Sequence, residues 1–406
     1  MRSPVWSRIK VLVGALAVTL FTISLMIFPA EGVKAAIAGL RVFWEVVLPS
    51  LLPFFVLSEI MLGMGVVHFL GVLLEPLMRP LFNVPGIGAF ALSMGLAAGY
   101  PMDAVITGKF RRSGMCTRIE GERLLSFTNT ADPLFIFGAV AVGMFGRPDL
   151  GAVLAIAHYV SSFSVGVVFK FYKKTPVAEQ QNPEVFEKGM LRRAVRALFK
   201  ARHDDGRPIG QLIGDATKES ISTLLMIGGF ITLFAVMVRM MAIFQVMGAV
   251  TPLIGGVLRL FGLDPHLAAA VFNGLLEIDL GTLVTSVTAA PLLDKLMVAS
   301  WIIAWSGLSV HCQVASVIHD TDIGMGPYVV ARFLHGIFAA FYTWLMLGPL
   351  AMVFAPLHRA TAAGSWNPID RIVLSGRQML VVLGILLVAS LAVYVSKRYT
   401  LVRIKK

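Results

Sequence analysis

The chain has 406 residues, of which 57% are hydrophobic and 14% charged, and its mean hydropathy is +0.80. A soluble domain carries about 25% charged residues, so this composition excludes a soluble enzyme or carrier and places most of the chain in a bilayer. The net charge of +12 does not point to nucleic acid, because the cations cluster beside apolar runs as the positive-inside rule expects; the two cysteines, Cys116 and Cys312, show neither metal-ligand spacing nor a disulfide framework.

Residues 11–30 follow Arg2, Arg8 and Lys10, as a signal peptide would. The apolar stretch of about 18 residues exceeds the usual h-region, so the expectation is a retained first helix. The next spans are 42–66, with Pro49 and Pro53; a short amphipathic 68–84, with Glu75, Pro76, Arg79 and Pro80; then 86–108, 124–145 and 151–171. A second series follows as 220–246, a short 252–263, then 267–290, 296–318 and 328–354, and 379–395 closes the chain. The implied organisation is a lead-in over 1–41, a first unit over 42–171, a linker over 172–218, a second unit over 219–355, and a C-terminal loop and helix over 356–406.

Lys109, Arg111, Arg112, Arg118 and Arg123, the basic stretch 170–218, and Lys397 to Lys406 set the cytoplasmic side, together with the N-terminus. These placements agree only if the short segments 68–84 and 252–263 also cross, alone or as re-entrant hairpins. Within the linker, Leu191, Ala194, Val195, Leu198 and Phe199 fall on one helical face and Arg192, Arg193, Arg196 and Lys200 on another. Such a helix suits an anionic membrane surface, and equally a solvated linker.

The chain repeats itself. Leu81-Phe82, Ala89, Ala91 and Gly95-Leu96 align without gaps on Leu260-Phe261, Ala268, Ala270 and Gly274-Leu275. The charge rule runs 42–66 inward and 220–246 outward, so the two units are expected to be inverted copies, as in many secondary transporters. At nearly matching offsets each unit carries a polar interruption. The first is Ser126-Phe127-Thr128-Asn129-Thr130-Ala131-Asp132-Pro133, and the second runs from Trp305-Ser306-Gly307 through Ser309 to Gln313. Lipid cannot satisfy such groups, so they must face protein or a wet cavity, and both are expected to meet near mid-membrane.

Thr128, Asn129 and Thr130 are candidates to hydrogen-bond a substrate. Asp132-Pro133 also reads as a cap and first turn of a new half-helix, and the two readings are compatible because such a terminus favours an anion. Ser126 belongs to the same group, and Ser306, Ser309 and Gln313 are its counterparts. Glu277 and Asp279 are acidic residues inside a span, where a carboxylate needs a partner, a proton or water. Glu277 aligns with Ala98, beside the helix-breaking Gly99-Tyr100-Pro101, so Glu277 and Tyr100 join the candidate substrate site; the alternative for Glu277 is a buried packing carboxylate. Arg332 and His335 lie one turn apart; Arg332 either snorkels to the interface or attracts an anion. His158 and His68 read as packed or interfacial, and Arg239 as facing protein. No P-loop, His-Glu-x-x-His or paired-cysteine motif is present, so the chain is read as neither an ATP-driven pump nor an enzyme, with no cofactor and no metal.

The run Phe43-Trp44-Glu45-Val46-Val47-Leu48-Pro49-Ser50-Leu51-Leu52-Pro53-Phe54-Phe55 closely resembles the YlbJ-type sporulation integral membrane proteins, also called SpoVV. The likeness continues through Leu74-Glu75-Pro76-Leu77-Met78-Arg79-Pro80, Ser126-Phe127-Thr128-Asn129, Gln313-Val314-Ala315-Ser316 and Leu334-His335-Gly336, across nearly the whole chain outside the basic linker and the termini. Each unit also resembles a Gate, or nucleoside-recognition, domain. The resemblance implies an all-α polytopic membrane protein, an inverted repeat of two Gate-type units with broken helices or re-entrant segments. It implies a place in the outer forespore membrane, where dipicolinic acid would pass from the mother cell into the intermembrane space. The partners implied are a small anionic substrate, dipicolinate, and membrane lipids, with a homo-oligomer left open. Asp103 and Asp132 depart from the family pattern, which places a small residue or Asn there. Two charges on the path would repel an anion, so one of them is protonated, paired or off the path. The rival expectations are a nucleoside or nucleobase transporter and a spore-envelope assembly scaffold.

Overall fold

A computed structural model describes residues 4–133, 135–173 and 189–349, with 380, 384, 387, 388 and 390–395 beyond them. The basic C-terminal cluster from Lys397, part of the expected span 379–395 and the first part of the linker lie outside the described residues. Among the described residues every regular element is a helix.

The first unit is preceded by α1 (Pro4–Ile27) and α2 (Pro29–Val42), which meet at a 104° bend. A π-helical turn (Phe43–Val47) leads into α3 (Leu48–Gly63), and α4 (Val66–Phe82) turns 82° away from it. Then come α5 (Gly88–Ala98), α6 (Met102–Arg112), α7 (Arg118–Thr128), a π-helix (Phe135–Met144) and α8 (Leu150–Phe169). The linker forms α9 (Met190–Asp205). The second unit is α10 (Ile209–Ile243), α11 (Val246–Leu260), a 3-10 turn (Pro265–Leu267), α12 (Ala268–Leu276), α13 (Ile278–Val287), α14 (Leu292–Trp305), α15 (Gly307–Val317) and α16 (Met325–Leu347). Among the described residues four helices are long and apolar enough to cross a membrane: α8, α10, the interrupted α14–α15 and α16. The count rises to six if each bent pair is one span.

Two stretches read as single spans, 86–108 and 267–290, are instead helical pairs folded back on themselves. In the first, the Met102 amide donates to Gly99 O at 3.0 Å, and a Cβ on Gly95 would lie 3.2 Å from the Asp103 Cβ. In the second, a Cβ on Gly281 would lie 2.3 Å from the Gly274 Cα, so the two backbones touch. Small residues at facing positions permit that approach. The tight helical hairpins are therefore α5–α6 and α12–α13, while α3 and α4 meet at the wider 82° bend. The segments 68–84 and 252–263 lie mostly within the continuous helices α4 and α11.

Charged side chains mark the two ends of the molecule, with ion pairs at one and hydrogen bonds at the other. At one end, α6 finishes with Lys109 on Glu59 and, at 2.8 Å, Glu219; Arg111 on Asp322 at 2.7 Å; and Arg112 on Asp320 at 2.8 Å. The same end holds Glu75, Arg79 and Glu120, and α7 starts there with a capping box between Thr117 and Glu120. At the far end of α14–α15, the Asp264 amide donates to Asp294 Oδ2 at 2.9 Å, Lys295 donates to Ser286 O at 2.6 Å, and Lys295 lies 5.8 Å from the Phe145 ring. The open end of α5–α6 thus sits with the first set, and that of α12–α13 with the second.

Candidate functional site

Four helix interruptions come together inside the molecule. They are the two hairpin tips, Gly99-Tyr100-Pro101 and Glu277, and the two breaks, Asn129–Asp132 and Ser306-Gly307. Within each unit the tip packs on the break. Gly99 has φ +74°, and a Cβ there would lie 3.0 Å from the Asp132 amide nitrogen. Gly307 has φ +75°, and a Cβ there would lie 3.0 Å from the Glu277 Cα. At both positions glycine is needed, for the left-handed backbone and for the close approach.

Each break is then completed by side chains of the other unit. The Tyr100 hydroxyl donates to Ile303 O at 2.8 Å, in the last turn of α14. From α16, the Tyr328 hydroxyl donates to Asn129 Oδ1 at 2.8 Å and also contacts the Ser306 side chain. Arg332 donates to Asn129 O and, at 2.6 Å, to Ser126 O, and its NH1 meets His335 Nδ1 at 2.9 Å. His335 Nε2 in turn donates to His158 O at 2.8 Å. The His311 ring lies 4.3 Å from Trp305 and 5.1 Å from Tyr328.

Asn129 is the hub. Its Nδ2 donates to Asp103 Oδ1 at 2.7 Å, and Thr128 Oγ1 donates to Asp103 Oδ2 at 3.1 Å. Asp103, Ser126, Thr128, Asn129, Thr130 and Arg332 are all fully buried. The polar groups freed by the break are matched one by one: Phe127 O accepts from Ser162, the Ala131 amide donates to His158 Nε2 at 3.0 Å, and Ser126 Oγ donates to Arg123 O at 2.6 Å. Buried polar groups must be satisfied in this way, and most strictly within a bilayer.

The sequence-predicted residues fall into three groups. Thr128, Asn129, Thr130, Ser306 and Tyr100 meet at the hub, and Ser126 contributes its carbonyl. Asp132 caps the following π-helix by accepting the Phe135 amide at 2.9 Å, as the capping reading expected. Glu277, with extended backbone, caps α13 by accepting the Leu280 amide at 2.8 Å, and its side chain also contacts Asp279. Ser309 and Gln313 lie one turn apart on α15, nearly buried, and make no hydrogen bond among the described residues. Arg332 does not snorkel: it is wholly buried, against that half of the expectation. Arg239 pairs with Glu31 of α2 at 2.5 Å but remains half exposed, so it only partly faces protein.

Sequence reasoning missed Tyr328 and gave Asp103 no site role. The available signal was the helical spacing of Tyr328, Arg332 and His335 along one otherwise apolar face. A separate surface pocket of about 720 Å³ opens between α10, α11 and the start of α12, with Thr251, Arg259 and His266 in its wall. It contains none of the predicted site residues.

Residues 44–174 match the Gate family, described as nucleoside recognition. The chain is 42% identical over 344 residues to the sporulation integral membrane protein YlbJ of Bacillus subtilis (strain 168), covering 85% of this chain and 84% of that one. No solved structure matches. With that identity spread over both units, the chain belongs to the YlbJ family of sporulation integral membrane proteins.

Proposed function

We propose that this protein is a secondary transporter that carries dipicolinic acid from the mother cell across the outer forespore membrane into the intermembrane space. We further propose that its two units are inverted copies of one hairpin-plus-broken-helix module. The observation that carries both proposals is the convergence of two hairpin tips and two helix breaks on one buried polar hub, with the hairpins entering from opposite ends. Paired discontinuous helices at matching points of two units are the usual setting of a transporter's substrate site.

The proposed substrate contacts are Tyr100, Ser126, Thr128, Asn129, Thr130 and Asp132 in the first unit, and Glu277, Ser306, Ser309 and Gln313 in the second. Ser309 and Gln313 offer donors without a protein partner among the described residues, which suits a ligand rich in carboxylate oxygens. Asp103 is held by Thr128 and Asn129, which takes its carboxyl out of the path, while Asp132 engages one oxygen as a cap. Export of a dianion from a negative-inside cell is favoured by about 2.3 kcal/mol per charge per 100 mV, so no coupling ion is required.

The Gate match favours a second reading, a nucleoside or nucleobase transporter. In the dipicolinate reading, cells lacking the protein assemble morphologically normal spores from which dipicolinate is missing. Defective coats and cortex with dipicolinate retained would favour an assembly scaffold. Intact spores of normal dipicolinate content would remove the dipicolinate reading.

A further inference from the structure

The carbonyl end of α7 is filled by a fixed cation. A helix C-terminus carries about half a negative charge on its unpaired carbonyls. In secondary transporters, such half-helix ends and unwound carbonyls are where a coupling sodium ion or proton is held. Here the guanidinium of Arg332 bridges Ser126 O and Asn129 O, one helical turn apart across the start of the break. Arg332 is fully buried, its Nε has no partner, and no carboxylate forms an ion pair with it among the described residues. Asp103 stands on the other side of Asn129, whose side-chain amide donates to it at 2.7 Å.

The second break has no such group. The last-turn carbonyls of α14 are taken by the Tyr100 hydroxyl on Ile303 O, the Ser306 amide on Ile302 O and the Ser306 hydroxyl on Trp305 O. A buried cation is among the costliest groups to place at membrane depth, and a merely structural cap can be neutral, as at α14. The difference between the two breaks therefore calls for a positive charge at the first.

We propose that Arg332 is a tethered cation occupying the place where a diffusible coupling ion would bind. The broken helix is then electrically complete without sodium, and movement of substrate past it does not depend on a sodium gradient. The consequence for flux rests on the transport reading; the occupancy of the site does not.

The test uses the purified full-length chain and needs no substrate. Thermal unfolding is followed while sodium chloride replaces choline chloride at constant ionic strength. The wild-type curves are expected to superimpose. Arg332→Ala, with the site emptied, is expected to melt earlier in choline and to be stabilised by sodium, lithium or guanidinium added at low millimolar concentration. Wild-type protein stabilised by sodium would overturn the proposal. So would an Arg332→Ala protein that melts like wild type in choline, or one destabilised but indifferent to every small cation. If Arg332→Ala does not accumulate, Arg332→Lys retains the charge with a shorter fork, and the wild-type sodium series decides on its own. A protein that moves no dipicolinate in vesicles would end the dipicolinate reading while leaving the melting result to judge the cation site.

Discussion

The hydrogen bond between Tyr328 and Asn129 joins the two units at the hub, and a double-mutant cycle measures it. Asn129→Ala removes two bonds: the charge-assisted one to Asp103 at 2.7 Å and the neutral one from Tyr328 at 2.8 Å. A hydrogen bond to a charged group contributes about 1.5–3 kcal/mol and a neutral one about 0.5–1.5, so the single variant should lose roughly 2–4 kcal/mol. Tyr328→Phe keeps the ring against His311, removes the neutral bond and leaves the Asn129 oxygen bare, a loss of about 1–2 kcal/mol. Hydrogen bonds between membrane helices average about 0.6 kcal/mol in such cycles, with a maximum near 1.7. The polarised amide of Asn129 places this pair towards the upper part of that range, at about 1 kcal/mol of coupling. The assay is reversible unfolding in mixed micelles titrated with sodium dodecyl sulfate, for wild type, both single variants and the double variant. Losses that add within about 0.3 kcal/mol would show that the two residues do not share a bond, and the hub as described would be wrong.

Glu277→Gln keeps an acceptor for the Leu280 amide, so expression and insertion should stay near normal, while flux falls about tenfold or more, equal to ~1.4 kcal/mol of barrier. Glu277→Ala should in addition lose the cap, about 1 kcal/mol of stability, so equal flux in all three proteins would make Glu277 a capping residue only. At the end of the molecule where α6 finishes, Arg111 holds the Asp322 carboxyl below its ordinary 3.8. A lowered carboxylate contributes stability above its unfolded value and loses it as pH falls through the folded one, so this pair should be silent from pH 5 to 8 and weaken only below about pH 4. Both side chains are partly exposed, so the effect should stay under about 1 kcal/mol and shrink in high salt; a stability step near neutral pH in wild type that Asp322→Asn abolishes would contradict it. Cysteines placed at Lys200 should resist an impermeant thiol reagent in intact cells and those at Asp149 should react, and the reverse pattern would invert the orientation.

The break at Asn129–Asp132 was legible because Ser126, Thr128, Asn129, Thr130, Asp132 and Pro133 interrupt an otherwise apolar run. The hairpins were not legible. A stretch of about 23 apolar residues has the length of one crossing, and the same length also makes two short helices folded back. In α5–α6 the Gly-Tyr-Pro sequence flagged a break but not a reversal. In α12–α13 the turn rests on the extended backbone of Glu277 alone, and the close pairing of Gly274 with Gly281 depends on a fold that must already exist. Arg332 was ambiguous for a related reason. Whether an arginine snorkels or is buried depends on its depth, and its carbonyl partners lie about 200 residues away in sequence.

The central claim, that the convergent breaks move a small dianion, is tested most directly by flux into proteoliposomes containing the purified protein. Dipicolinate and uridine are compared, each with and without a sodium gradient. The account predicts saturable dipicolinate flux that follows the membrane potential, is unchanged when sodium is replaced, and is weakened by Asn129→Ala. Sodium-driven uridine uptake with no dipicolinate flux would contradict it.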